Sequence, residues 1–210
     1  MKKTAIERFD SFITLSTNTL KTDSLKEHLA DKVRKAYRTQ HCICLRKFLN
    51  ESLLEEIAAE LPSIFMESRR NKGGDYILEC NEEPRFGARL RFILNDARIF
   101  RMVEHLTGGA LPKYFYGRFY RMHPGVHEVP WHRDASDNRI LGVSINLTRK
   151  KSSGGKFQIR PQENRDSIFE LKTSHWGDAH FFDVSRPFEH RVTDVKGRIS
   201  RDAFSGWFSA

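Results

Sequence analysis

The chemistry-bearing residues of this chain gather in Trp131-His132-Arg133-Asp134, with His190 downstream. Side chains on a β-strand alternate between faces, so His132 and Asp134 would point one way and Arg133 the other. One imidazole and one carboxylate two residues apart can take two adjacent corners of a metal ion. A second imidazole from a neighbouring strand, His190, would complete a 2-His-1-carboxylate face. That set leaves three corners open and suits non-haem Fe(II) that activates oxygen. Chance weighs against it, because the chain holds nine His and 27 acidic residues. Taken alone, His132 reads equally as a surface or core-edge imidazole. Asp134 could be a turn residue introducing Ser136-Asp137-Asn138, and His190 a histidine on an alternating strand.

What surrounds the trio tips the balance. Arg201 stands eleven positions after His190 and six before Trp207, followed by Ala203-Phe204-Ser205-Gly206-Trp207-Phe208. Further landmarks run in order: His123-Pro124-Gly125, Ile145-Asn146-Leu147-Thr148, Gly154-Gly155-Lys156-Phe157, and Trp176-Gly177-Asp178 leading into Phe181-Phe182. With these residues the chain resembles the prolyl-4-hydroxylase-like branch of the Fe(II)/2-oxoglutarate-dependent oxygenases, over residues 114–208. That branch shows HxD, a distal His, a basic residue and then a strand carrying a Trp.

The resemblance implies that His132, Asp134 and His190 are the metal-binding and catalytic set. It implies Fe(II), 2-oxoglutarate and O2 as cofactor and co-substrates, with ascorbate as an auxiliary. The implied reaction decarboxylates 2-oxoglutarate to succinate and CO2 and hydroxylates an amino acid, a peptide or a small metabolite. Related halogenases lack the carboxylate that Asp134 provides, so its presence points to hydroxylation. Arg201 matches the residue that binds the far carboxylate of 2-oxoglutarate. Asn146 and His123 fall where relatives often carry Tyr or another polar group near the co-substrate, and they are the further cofactor-binding candidates.

Physical chemistry agrees with the assignment of Arg201. A guanidinium fork grips a carboxylate through two parallel charge-assisted hydrogen bonds, which lysine cannot reproduce. Inside a barrel an unpaired guanidinium would be expensive, and removing one member of a buried pair costs roughly 3–5 kcal/mol. The competing place for Arg201 is a surface salt bridge to Asp202 or Asp194. Arg198 is a rival with a less apt spacing to Trp207. Tyr116 and Tyr120 alternate on one strand, facing either the cavity or the core. Trp131 points away from the metal side, and His127 and His175 read as loop residues.

The elements that must position these groups come in two blocks. Residues 1–22 carry little pattern and read as a surface arm. Asp23-Ser24 is a plausible N-cap for a helix with Leu25, Leu29, Val33 and Tyr37 at helical spacing. Residues 41–48 alternate as a strand. Asn50 then caps a second helix (Leu53, Leu54, Ile57, Leu61) that Pro62 stops. Residues 67–90, polar and rich in Gly and Arg, read as a connection or a hairpin over the site. Asn95-Asp96 starts a third helix (Ile99, Val103, Leu106) ending at Gly108-Gly109.

After Pro112 short β-rich runs follow at 114–122, 140–148, 156–159, 167–171, 179–184, 188–192 and 203–208. They read as an antiparallel sandwich or barrel. Helices first and strands afterwards give an α+β layout. The resemblance makes the core a double-stranded β-helix (jelly-roll, cupin-like) with N-terminal helices packed on one face. The expectation is one domain over 1–210, with a helical support region at 1–110 and the catalytic core at 111–210.

Bulk properties narrow the function classes. A net charge of +9 calls for considering nucleic acid, an anionic membrane or an anionic small molecule. A nucleic-acid demethylase would carry a second Arg soon after Arg201, and only DAFSGWFSA follows, so nucleic acid is discounted as a partner. Cys42, Cys44 and Cys80 lack CxxC spacing, which argues against a disulfide framework or zinc cluster and fits a reducing cytoplasm. MKKTAI is followed at once by Glu7, Arg8 and Asp10, so no apolar signal region exists. No stretch approaches membrane-spanning length, and no membrane partner is expected. A non-enzymatic metal-binding β-barrel module is the remaining alternative. Structural zinc sites close with a fourth protein ligand, and none is evident at a suggestive spacing.

Overall fold

The computed structural model of the protein describes residues 2–17, 19–22, 29–70, 77–81, 84–109, 111–134, 138–150, 153–172 and 174–210. The chain opens with β1 (Lys2–Ala5), β2 (Arg8–Asp10) and a hairpin of β3 (Ile13–Leu15) and β4 (Leu20–Thr22). Then come α1 (Leu29–Gln40), β5 (Cys42–Arg46), α2 (Glu51–Glu60), β6 (Glu67–Arg70), β7 (Ile77–Asn81), α3 (Arg85–Leu94) and α4 (Ala97–Thr107).

The second half is all strand. It comprises β8 (Tyr114–Met122), β9 (Val129–His132), β10 (Arg139–Asn146), β11 (Ser153–Gly154), β12 (Phe157–Pro161) and β13 (Ser167–Glu170). It ends with β14 (Ala179–Phe182), β15 (Phe188–Val192), β16 (Val195–Lys196) and β17 (Arg201–Ser209). No helix among the described residues is long and apolar enough to cross a membrane.

Two sheets face each other. The larger runs β2-β5-β14-β10-β17-β8-β7-β6 and the smaller β1-β13-β12-β15-β9. Alternation along the strands of the larger sheet sorts its side chains into two sets. Phe115, Phe119, Val143, Ile145, Phe181, Phe204 and Phe208 form one core with Val33, Leu53, Ile57, Leu90, Ile99 and Val103 of the four described helices. The opposite face meets the smaller sheet through a second cluster that includes Cys42, Cys44, Phe157, Ile159 and Phe182. The α+β class and the helices on one face of a β core are as expected.

Helix ends follow local chemistry. Asn50 Oδ1 accepts from the Leu53 amide at 3.0 Å, and Asp96 Oδ1 from the Arg98 amide at 2.8 Å, each satisfying an orphan donor. Gly108 closes α4 at φ 67°, a left-handed conformation costly for any residue with a Cβ. The expected cap at Asp23-Ser24, and Leu25 with it, lie outside the described residues.

Three expectations need correcting. Residues 1–22 are not a surface arm: Ile6, Ile13, Leu15 and Leu20 are buried. There, β1 and β2 join β13 and β5 by parallel pairing, so neither sheet is purely antiparallel. Strands of three or four residues are too short to show a period, and their edge pairing is made by backbone. Within 67–90, β6 and β7 pair antiparallel on the edge at β8, in keeping with a hairpin, but from Arg85 the chain is a helix, α3, that the sequence reading omitted. Its Phe86, Leu90, Ile93 and Leu94 face the core at helical spacing, while Arg85 and Arg89 on the solvent side made the stretch look like a loop.

Candidate metal centre and cavity

The smaller sheet brings the two histidines together. β15 pairs with β9 antiparallel, and His190 lies directly opposite His132, with ring centroids 4.3 Å apart. Asp134 follows two residues beyond His132. Its Oδ1 lies 3.7 Å from His132 Nε2 and its Oδ2 3.3 Å from His190 Nε2. All three ligand atoms fall within 4.8 Å of one another.

Each donor is oriented from behind. His132 Nδ1 sits 2.9 Å from the Pro130 carbonyl. A carbonyl only accepts, so Nδ1 carries the proton and the Nε2 lone pair is left for a metal. Trp207 Nε1–H donates to Asp134 Oδ2 at 2.9 Å. Arg139 donates to the Asp134 carbonyl at 3.0 Å and stacks over the Trp207 ring at 3.8 Å. His190 is buried and packs against Phe182 and Phe157, with centroids 4.7 and 5.7 Å away.

The electrostatics suit a cation. Burial pushes the Asp134 carboxyl up, but His190, His132 and the Trp207 N–H together outweigh it and hold the group well below the usual carboxylate range. Burial, helped by His190, lowers the His132 pKa, which favours the neutral ligand form. Two donors at ~2.0–2.2 Å from one metal and at right angles stand about 3 Å apart. The 3.3 and 3.7 Å separations therefore need only a small inward movement. The residues fit a facial iron site.

The trio opens into a cavity of about 160 Å³ shared with Tyr120, Met122, Ser144, His180, Arg201, Ser205 and Trp207. Arg201 starts β17 opposite Met122, and among the described residues its side chain's polar contact is Nη1 to Met122 Sδ at 3.9 Å. It keeps a fraction of its surface open, yet desolvation still lowers its pKa to about 10. The alternative bridge to Asp202 is not made, because Arg121 holds that carboxylate at 2.8 and 3.1 Å. Gly155 turns beside Arg201 at φ 60°, and a Cβ there would come within 2.9 Å of Arg201 Cδ.

Other candidates divide. Asn146 borders a second cavity that also reaches Arg201. Both its polar groups are engaged: Oδ1 accepts from the Thr148 amide and Nδ2 donates to the Ser174 carbonyl, each at 3.1 Å. His123 borders neither cavity. Its Nδ1 pairs with Ser200 Oγ and its Nε2 with Glu79 Oε2, both at 2.9 Å. Arg198 is exposed. Tyr120 faces the cavity, whereas Tyr116 lies beside the guanidiniums of Arg91 and Arg118. Trp131 turns away from the metal side and lies between Arg160 and Arg191, 3.9 and 4.7 Å from its ring. His127 lies in the loop between β8 and β9, as expected, yet is buried, with Nδ1 accepting from the His123 amide at 3.0 Å.

The sequence reading missed His180. It is 2% exposed, borders both cavities, and neither ring nitrogen has a hydrogen-bond partner. Burial beside Arg201 pushes its pKa well down, so it stands as a neutral imidazole. The available signal was a lone histidine in Ala179-His180-Phe181-Phe182, an otherwise apolar strand.

Residues 113–209 match the family model described as the 2OG-Fe(II) oxygenase superfamily. The fold is similar to that of an oxidoreductase of the 2OG-Fe(II) oxygenase family from Burkholderia pseudomallei, at 18% identity and TM-score 0.66, covering 93% of this chain and 95% of that one. A prolyl-4-hydroxylase from Pseudomonas putida is similar at 15% identity and TM-score 0.61, covering 86% and 98%. So is the non-heme alpha ketoglutarate dependent epimerase SnoN from nogalamycin biosynthesis, at 16% identity and TM-score 0.65, covering 86% and 82%. At these identities the likeness is one of fold. No curated protein matches the sequence closely enough to count as a relative.

Proposed function

We propose that the protein is an iron(II)- and 2-oxoglutarate-dependent hydroxylase of an amino acid, a peptide or a small metabolite, a reading supported by the match of residues 113–209 to the 2OG-Fe(II) oxygenase superfamily model. The observation that carries the reading is the convergence of His132, Asp134 and His190 in one cavity with Arg201. Bound Fe(II), with 2-oxoglutarate and O2, supplies the oxidising power and the decarboxylation to succinate and CO2, chemistry no side chain provides.

The chain's own residues bind, orient and shield. His132 and His190 offer Nε2 lone pairs, and Asp134 offers its carboxylate from the third corner. The Pro130 carbonyl fixes the tautomer of His132, and the Trp207 N–H fixes the carboxylate plane. Arg201 binds the far carboxylate of 2-oxoglutarate, a task its lack of any described carboxylate partner suits. Phe157, Phe182, Val129 and Val192 give the cavity apolar walls that keep water from the reacting centre. The retained carboxylate of Asp134 favours oxygen transfer as the outcome, and a reducing cytoplasm with ascorbate available would keep the iron ferrous.

The test is turnover. With Fe(II), ascorbate and O2, the full chain is expected to convert 2-oxoglutarate to succinate, faster when a cell extract supplies the substrate. Mass spectrometry under ¹⁸O2 should find one labelled oxygen in the product. No succinate under any condition would favour a metal-binding module. Succinate with an unlabelled, isomerised or cyclised product would replace hydroxylation with another oxidation.

A further inference from the structure

His180 is a buried polar side chain that the metal centre does not use and that nothing among the described residues satisfies. Other buried side-chain atoms lack partners, among them Ser174 Oγ and Trp176 Nε1, but His180 lacks one at both ring nitrogens. A neutral imidazole carries one N–H donor and one acceptor lone pair. Burying both unmet is a standing penalty that leucine, of similar bulk, would not incur.

The neighbours across the sheet do not relieve it. In register, His180 on β14 lies between Cys44 on β5 and Ser144 on β10. Ser144 Oγ is already taken by Ser205 Oγ at 2.7 Å. Cys44 is a buried thiol whose pKa burial raises to about 12, and thiols are weak partners. Phe157 and Phe182 pack against the ring as apolar neighbours, with centroids 4.5 and 5.8 Å away. Only the cavity side remains. There His180 and Arg201 together border both the metal cavity and the second cavity behind it.

An orphan imidazole beside a guanidinium without a carboxylate partner is an arrangement that an anion would complete. We propose that His180 is a second hydrogen-bonding residue for the far carboxylate of the co-substrate, acting together with Arg201. One ring nitrogen donates to a carboxylate oxygen, and the other is free to accept from a guanidinium N–H or a water. The inference rests on the function proposed above. It adds a residue whose presence in the ligand-free protein is a cost and in the complex a gain.

The experiment is isothermal titration of the full chain loaded with manganese(II), using two probes. One is 2-oxoglutarate; the other is oxalate, which can chelate the metal but has no far carboxylate. His180→Leu should weaken 2-oxoglutarate roughly tenfold, the loss of about one good hydrogen bond to a charged group. Oxalate affinity should stay within about twofold of the unmodified chain, well inside the ~1.4 kcal/mol that a tenfold change represents. The melting temperature of the ligand-free variant should rise. His180→Asn, which keeps a donor in less volume, should recover part of the affinity and serves if the leucine variant misfolds. Unchanged 2-oxoglutarate affinity in His180→Leu, or equal losses for both probes, would overturn the proposal while leaving the oxygenase reading intact. Manganese binding without any 2-oxoglutarate binding by the unmodified chain would overturn both.

Discussion

The two ends of the cavity are built on opposite principles. At the candidate metal end each proposed ligand is braced by a second group: His132 by the Pro130 carbonyl, Asp134 by the Trp207 indole, His190 by neighbouring aromatic rings. At the other end Arg201 touches a methionine sulfur and His180 touches no hydrogen-bonding partner. The first end is finished by the protein, and the second is finished by whatever binds. A preorganised ligand set loses little on metal binding because its rotamers are already fixed. An unsatisfied polar end favours the complex by making the ligand-free state costly.

The contrast breaks most visibly at Asp134. Asp134→Ala removes the only carboxylate of the trio and leaves Trp207 N–H without its acceptor. Losing an outer partner of a metal ligand typically costs 10–100-fold in affinity, and losing the ligand itself should cost more. Titration with manganese(II) should show binding weakened beyond that range, with circular dichroism unchanged because the helical core lies on the far face of the larger sheet. Manganese affinity within tenfold of the unmodified chain would remove Asp134 from the metal centre.

A smaller loss, on a different axis, is expected at Arg201. Truncating one partner of a desolvated, hydrogen-bonded charge pair costs roughly 2–5 kcal/mol, or at least about thirtyfold at 1.4 kcal/mol per tenfold. Arg201→Leu should therefore weaken 2-oxoglutarate by that factor, leave manganese(II) binding unchanged, and not lower the melting temperature of the ligand-free chain. A metal affinity that fell in parallel would mean the two ends are one unit and the comparison is misplaced. Unchanged 2-oxoglutarate affinity would take Arg201 out of the site.

How much of this was legible in the sequence follows the same division. His132 and Asp134 could be expected together from strand alternation, and they do meet, although β9 ends at His132 and Asp134 lies just past it. The spacing of His190, Arg201 and Trp207 carried the resemblance. The β-rich runs after residue 112 were legible from period and punctuation. Other features depend on contacts no local pattern encodes. Nothing in His123 announces that Glu79 and Ser200, distant in sequence, will take both its nitrogens. Asn146 sits at the family's position, yet its amide is spent on Thr148 and Ser174 to hold a turn. His180 was unreadable for the opposite reason: its significance is an absence of partners, which only packing reveals. The parallel additions of β1 and β2 are backbone pairings at sheet edges, and short strands leave no hydrophobic period to find.

Trp207 offers the finest test, because it separates bracing from packing. Its indole N–H donates to Asp134 Oδ2, while its ring carries the Arg139 guanidinium that holds the Asp134 carbonyl. Trp207→Phe deletes the donor and keeps an aromatic face for Arg139. The carboxylate would then be oriented by His190, His132 and Arg139, whose guanidinium also lies 3.7 Å from Oδ1. Manganese(II) affinity should fall about tenfold, the low end of the range for an outer partner, with 2-oxoglutarate affinity at saturating metal nearly unchanged. Trp207→Leu, which removes the ring as well, should cost more, and the difference between the two variants measures the stacking contribution. If Trp207→Phe binds metal as the unmodified chain does, the N–H is not a brace, and Asp134 is set by its neighbours in the trio and by backbone.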